Sequence, residues 1–272
     1  MKTERPRSKA LEESAAKKAA AVAAGGTGAT LSEPPGSTRR AVLQGAVGAG
    51  LALTVGPGLA PRTARAGGSG AQRPLTGGQQ AILDDLMAGN ARYVVGKRRD
   101  HDLAAARRGL TGGQQPKTAV IRCADSRVAP ELVFDQSLGE LFVCGVAGNI
   151  PTPEIMASIE YAVLNLGTEL ILVMGHSGCG AVEATISHQG VLDGTPGNLP
   201  GLLSQILPSV LKAQAGGGDK LARCIAQNAR DAATRLSKMS AVVDDAIKAG
   251  KLGVASGVYQ LDSGKFEVSG SG

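Results

Sequence analysis

The sequence is poor in aromatic side chains and in cysteines. Aromatic residues make up 2% of the 272 residues and Trp is absent, so a surface that stacks nucleic-acid bases is not expected. Four cysteines spread along a chain of this length do not suggest a disulfide scaffold. The weakly apolar run 41–60 is interrupted by several glycines and by Pro57, so no stable membrane span is expected. The 43% hydrophobic content predicts an ordinary globular protein with a well-buried core.

The positive charge is concentrated at the start of the chain. Residues 1–66 hold 10 Lys and Arg against 4 Asp and Glu, whereas the rest of the chain holds 19 of each kind. The net charge of +6 therefore predicts no basic surface for nucleic acid or anionic lipid on the main body.

The first 66 residues have the features of an export signal. Residues 1–36 have the composition of a disordered segment, and the pair Arg39-Arg40 precedes the weakly apolar run. Ala64-Arg65-Ala66 is a small-x-small triplet, so the segment resembles a twin-arginine (Tat) signal peptide cleaved after Ala66. This predicts export through the Tat translocase to the periplasm or the outside, with 67–272 as one mature domain. The alternatives are a disordered tail with chance arginines and an uncleaved anchor.

The remaining chain alternates between β-prone and helical segments. Short β-prone runs lie at 118–122, 141–146 and 170–174, and a helical pattern at 152–166 separates the last two. This order predicts an α/β fold with a mostly parallel central sheet flanked by helices. The same patterns predict an N-terminal helical arm at 75–110 and helices at 202–213 and 221–236. They also predict a C-terminal hairpin of 253–259 with 266–268. The core of the domain is then 116–268.

Metal-ligating residue types follow the first and third predicted strands. Cys123 comes directly after the first, and His176 and Cys179 come after the third. Both loops leave the carboxyl edge of a parallel sheet, where they can converge. Alone, the H-x-x-C spacing more often marks a satisfied histidine and a buried cysteine, but the two loops together favour a zinc site. Three protein ligands leave a fourth position open, which is typical of a catalytic zinc.

Longer motifs carry a resemblance to a known family. The stretches are Glu131–Gln136 (ELVFDQ), Val146–Asn149 (VAGN), Ser158–Val163 (SIEYAV) and Gly175–Val182 (GHSGCGAV). Over roughly 75–268 the chain resembles the β-class carbonic anhydrases. The resemblance implies that Cys123, His176 and Cys179 bind zinc. It also implies that Asp125 either takes the fourth position or pairs with Arg127.

The resemblance implies an activity and a substrate pocket. The activity is the reversible hydration of carbon dioxide to bicarbonate and a proton, in which zinc supplies hydroxide and the Asp125/Arg127 pair orients the nucleophile or gates the metal. Two thiolate ligands neutralise the zinc charge, so we expect activity that rises on the alkaline side. The implied pocket residues, of which the last three could instead be core, are Gln114, Phe142, Ala147 and Tyr161. A homodimer or larger homo-oligomer is implied, with the arm reaching across to the neighbour or folded back on its own subunit.

The chain departs from the family pattern at two positions. Gly145 stands where many members carry Arg, and Arg122 stands where a small or apolar residue is usual. Two rival functions stay open: a carbon disulfide or carbonyl sulfide hydrolase on the same scaffold, and a non-catalytic zinc-binding protein. The sequence predicts no functional role for the remaining residues of these types, which are His101, His188, Cys144 and Cys224.

Overall fold

A computed structural model describes residues 73–188 and 195–271. The predicted leader, 1–66, lies outside the described residues, and so does its cleavage site. Among the helices of the described ranges, none combines the length and the apolar character that a membrane crossing requires.

A five-stranded sheet forms the centre of the described chain, in the order β2-β1-β3-β4-β5. The first four strands pair in parallel, and the last pairs antiparallel to its neighbour. The predicted α/β fold, with its parallel sheet and C-terminal hairpin, is thereby confirmed. The strands are β1 (Thr118–Arg122), β2 (Leu141–Gly145), β3 (Leu170–His176), β4 (Gly253–Tyr259) and β5 (Phe266–Ser271).

Helices cover both faces of this sheet. Several begin at a side-chain cap, as where the Thr152 hydroxyl accepts a hydrogen bond from the Ile155 amide and Pro153 occupies the first helical position. The helices are α1 (Gly77–Val94), α2 (Leu103–Gly109), α3 (Pro130–Val133), α4 (Pro153–Asn165), α5 (Gly180–His188), α6 (Leu199–Ala213), α7 (Lys220–Met239) and α8 (Ala241–Lys248), with 3-10 turns at Leu110–Gly112 and Ala147–Asn149.

The core is divided between the two faces because side chains alternate along each strand. Ile121 packs with α4, α7 and α8 on one face, and we call this group of buried side chains the sheet cluster. Val120 packs with α1 and α3 on the other face. All seven residues of β3 are buried, as expected of a central parallel strand. A third cluster lies at the carboxyl edge, where α5, α6 and α7 meet around Cys123 and Cys179.

The N-terminal arm packs against its own chain. Leu83 and Leu86 of α1 are buried against the sheet face that carries Val120, next to Phe134. The second helix of the arm, α2, has no buried residue in the single chain. Contact of the arm with a neighbouring subunit therefore stays a prediction.

Asp135 ties the arm to the core through a group of cations. Its carboxylate is fully buried and accepts hydrogen bonds from Arg92 Nε at 2.6 Å and from the Arg99 amide at 3.1 Å, and it lies 3.2 Å from His101 Nε2. Burial raises the pKa of Asp135, but hydrogen bonds from Arg92, Arg99 and His101 outweigh this and lower it to about 2. His101, for which the sequence predicted no functional role, is thus a partly buried loop residue bound to the core.

Two local expectations need correction. Helix α8 was not predicted, because an apolar pattern over only eight residues is too short to be recognised in the sequence. Its Val243 becomes buried when the helix packs on the sheet cluster. Strand β3 was expected to end at residue 174 but continues to His176, because β4 pairs with its last two residues.

Candidate metal centre

Adjacent parallel strands bring the predicted ligands to one edge of the sheet. Arg122, the last residue of β1, pairs in register with Met174 of β3, so Cys123 emerges beside His176. The chain then turns through Gly178 at φ +65°, a left-handed conformation that suits glycine. The Cys179 carbonyl accepts the Glu183 amide at 3.0 Å, which places Cys179 at the start of α5.

Cys123, His176 and Cys179 form one compact group of donors. One ligand atom from each lies within 4.8 Å of the others, and all three residues are buried. The two sulfur atoms are 4.0 Å apart and both cysteines are free. Two thiolates held about 2.3 Å from a tetrahedral zinc ion would be about 3.8 Å apart, so the observed separation fits zinc.

The His176 ring is oriented for a cation. Its Nδ1 lies 3.0 Å from the Ser177 carbonyl, which can only accept, so Nδ1 carries the proton and Nε2 has a free lone pair. Nε2 is buried and has no hydrogen-bond partner among the residues that the structure describes. A buried polar atom without a partner is costly, and a metal ion between Nε2 and the two sulfurs would satisfy it.

The two thiols share their acidity unequally. Contact with Cys179 lowers the pKa of Cys123, although burial alone would raise it. The same contact, together with burial, raises the pKa of Cys179. The contact thus favours one thiolate beside one thiol, and a cation that displaces the remaining proton would have two thiolate donors.

Asp125 and Arg127 form a bidentate ion pair next to the donor group. Arg127 Nε donates to Asp125 Oδ1 at 2.9 Å and Nη2 donates to Oδ2 at 2.8 Å, while the Arg127 amide also donates to Oδ1 at 2.9 Å. These hydrogen bonds hold the pKa of the Asp125 carboxyl well below its usual range. Asp125 Oδ2 lies 3.8 Å from His176 Nε2. The structure shows Asp125 paired with Arg127, and its alternative place as the fourth ligand stays a prediction.

The four predicted pocket residues do not gather around the donors within the single chain. Gln114 is exposed, Tyr161 is 52% exposed on α4, and Phe142 packs against the sheet cluster beneath α4 and α7. Ala147 begins the 3-10 turn whose next residue, Gly148, contacts Cys123. The pocket assignment stays a prediction for these four residues.

The sequence predicted no role for Gly148, which lies next to Cys123 in the structure, or for Asn228, which lies next to Gly148. The Gly148 amide donates to Cys123 Sγ at 3.3 Å, and the Gly148 carbonyl accepts from Asn228 Nδ2 of α7 at 2.8 Å. The signal available in the sequence was a lone amide at position 228 among the apolar positions of a helix, beside Ile225 and Ala229.

Comparisons with known proteins agree with this fold. Residues 118–266 match the family model described as carbonic anhydrase. Carbonic anhydrase 2 of Mycobacterium tuberculosis is 36% identical over 186 residues, which cover 66% of this chain and 87% of that protein. The β-carbonic anhydrase of Coccomyxa, solved in complex with acetazolamide, has a TM-score of 0.54 and 26% identity, covering 70% of this chain and 82% of that one. A tetrameric β-carbonic anhydrase of Sordaria macrospora has a TM-score of 0.54 and 24% identity, covering 70% and 96%.

The fold and the donor group define an α/β enzyme with a candidate metal centre at the carboxyl edge of its sheet. The matches in sequence and structure identify the family within this class. The chain belongs to the carbonic anhydrase family, in its β class.

Proposed function

We propose that this chain catalyses the zinc-dependent, reversible hydration of carbon dioxide to bicarbonate and a proton. The observation that carries the proposal is the buried, partnerless Nε2 of His176 beside the sulfurs of Cys123 and Cys179. Two thiols and an imidazole are the donors that zinc prefers, and three protein ligands leave room for a reactant. Zinc held there supplies hydroxide near neutral pH by lowering the pKa of water.

Asp125 is placed to orient the nucleophile. Its carboxylate is ionised and can only accept hydrogen bonds, so a water or hydroxide entering the site points its hydrogen at Asp125 and its lone pair elsewhere. Arg127 fixes both carboxylate oxygens and keeps the charge in place. For Asp125 to reach the fourth ligand position, it would have to give up its hydrogen bonds to the Arg127 guanidinium.

Apolar side chains around the donors would favour a small neutral substrate. The cluster that contains Cys123 and Cys179 also contains Ile150, Val182 and Val258. Low polarity around the donors strengthens the electrostatic interactions within the site, and carbon dioxide needs little more than an apolar wall.

The test is made on the purified full-length chain. We expect one zinc per chain and carbon dioxide hydration, followed by stopped flow, that rises from about pH 6.5 to about pH 9 because two thiolates weaken the polarisation of water. Cys179→Ser is the control, and it should lose both zinc and hydration. Bound zinc without hydration would reject the proposal, and turnover of carbonyl sulfide or carbon disulfide in the same preparation would favour a sulfur-substrate hydrolase.

We also propose that the chain forms a homodimer or a larger homo-oligomer. Tyr161 and Leu164 are 52% and 67% exposed and lie one turn apart on α4, so they form an apolar patch that a second copy of the chain could cover. The tetrameric state of the Sordaria macrospora protein agrees with this proposal. Sedimentation of the purified protein at several concentrations would decide, and a monomer at all of them would reject it.

The proposal for the leader is export through the Tat translocase. It depends on Arg39-Arg40, the weakly apolar run 41–60 and the triplet Ala64-Arg65-Ala66. Mass spectrometry of the protein from a periplasmic fraction should give a chain that begins at residue 67. Replacement of both arginines by Lys should keep the precursor in the cytoplasm, and unchanged export would contradict the proposal.

A further inference from the structure

Asn228 is a buried amide in apolar surroundings. It is 0% exposed on α7, between Ile225 of the cluster at the carboxyl edge and Ala229 of the sheet cluster. Its Oδ1 has no hydrogen-bond partner in the described part of the chain. An apolar side chain of similar size would fill this space without the cost of burying an amide, so packing alone does not explain Asn228.

The other end of the amide contacts the backbone next to the metal centre. Asn228 Nδ2 donates to the Gly148 carbonyl at 2.8 Å, and the Gly148 amide donates to Cys123 Sγ at 3.3 Å. Gly148 has φ +76°, and a Cβ on it would lie 2.5 Å from Ile206 Cδ1. Gly148 is thus confined on three sides, by Ile206, by the Asn228 amide and by the Cys123 sulfur.

We propose that Asn228 is a positioning residue for the metal centre, which holds Gly148 so that its N–H points at Cys123 Sγ. The inference rests on the proposed zinc site. An N–H donor draws electron density from a thiolate and fixes the direction of its lone pairs, so it controls how strongly that sulfur binds a metal. The Gly148 carbonyl and N–H belong to successive peptide units, so the Asn228 hydrogen bond acts by fixing the backbone at Gly148. Without it, the Gly148–Asn149 peptide keeps the hydrogen bond from the Asn149 amide to the Val146 carbonyl at 3.0 Å, but Gly148 can shift so that its N–H turns away from the sulfur.

The test uses the full-length chain loaded with cobalt(II), whose absorption reports on thiolate ligands, or with zinc. Asn228→Leu removes the hydrogen bond and keeps the volume. We expect a shift of the sulfur-to-cobalt charge-transfer band and transfer of zinc to a chelator about 10-fold faster than in the wild type. Asn228→Ala, which also removes the donor to the Gly148 carbonyl, should change both readouts in the same direction.

Leu236→Ala is the matched control. Leu236 is fully buried on the same helix but belongs to the sheet cluster. This variant should unfold at a lower temperature with a wild-type cobalt spectrum and a wild-type rate of zinc release. If Asn228→Leu behaves in the same way, Asn228 only packs and the inference is wrong. If Asn228→Leu does not fold, the comparison is made with Asn228→Ala.

The experiment separates this inference from the proposed function. Wild-type protein that binds neither cobalt nor zinc would reject the zinc site, and the positioning role with it. Wild-type protein that binds metal while both Asn228 variants keep the wild-type spectrum and release rate would reject the positioning role alone.

Discussion

The guanidinium of Arg122 lies over Gly145, its register partner on the neighbouring strand. A Cβ placed on Gly145 would be 3.3 Å from Arg122 Cζ, and Arg122 Nη1 donates to the Cys123 carbonyl at 2.7 Å. The two departures from the family pattern therefore occupy one place in the structure: the arginine of β1 uses the space that the glycine of β2 leaves open.

Gly145→Arg should destabilise this protein. A second guanidinium would meet Arg122 in the same space. We expect overpacking and like charge to lower the free energy of unfolding by about 1 to 3 kcal/mol. Urea unfolding of the zinc-loaded protein measures this free energy. The double variant Arg122→Ala/Gly145→Arg should recover most of the loss, and a single variant as stable as the wild type would show that the space is not shared.

Arg127→Lys should lower hydration without loss of zinc. Lysine keeps the charge but cannot make the bidentate contact with Asp125, so the carboxylate is no longer held in one orientation. We expect kcat/KM to fall by about 100-fold. Zinc content and unfolding temperature serve as controls, since Arg127 is largely exposed. A variant with full activity would mean that the pair has no part in catalysis.

Asp135 should make the protein sensitive to acid. The folded pKa of about 2 lies below the ordinary value of about 3.9, so the ionised carboxylate stabilises the fold above about pH 4. This contribution is lost as the pH falls from about 4 to about 2. Asp135→Asn should lower the free energy of unfolding by about 3 kcal/mol at neutral pH, because Arg92 is left without its partner. On acidification, the free energy of unfolding of this variant should fall little further. Thermal unfolding between pH 7 and about pH 2.5 measures both chains, and parallel curves would contradict the assignment.

Removal of the metal should expose the donor cysteines to oxidation. With the sulfurs of Cys123 and Cys179 4.0 Å apart, a small movement allows a disulfide when an oxidant accepts two electrons. Metal-stripped protein treated with oxidised glutathione should lose two hydrogen atoms in mass, as the glutathione disulfide is reduced to two thiols, and should fail to take up zinc. Zinc-loaded protein should not change. Mass spectrometry of the intact protein and its peptides reads the outcome. A stripped protein that stays reduced would argue that the sulfurs are held apart.

Local patterns predicted much of the fold and the residues of the donor group. Strand β1 has the predicted bounds, 118–122, because a continuous buried apolar run follows Pro116 and ends where the polar loop begins. Helix α4 was predicted within one residue because its cap, its Pro153 and its apolar face all agree. Cys123, His176 and Cys179 were recognised because ligand residue types directly follow two strands of a parallel sheet.

Contacts that form only in the folded chain decided the rest. Asp125 and Arg127 are two residues apart, which permits either a ligand or an ion pair, and the three hydrogen bonds between them appear only in the folded chain. Asn228 lies 80 positions from Gly148, and only the packing of α7 brings them together.

The sequence by itself determined the α/β class and the chemistry of the donor group, because these depend on residue types and on patterns that repeat along the chain. The tertiary structure decided which side chains meet: Arg122 over Gly145, Asp135 among its cations, and Gly148 between Asn228 and Cys123. The physical reason is that such contacts depend on strand register and helix packing, to which residues far apart in the chain contribute together.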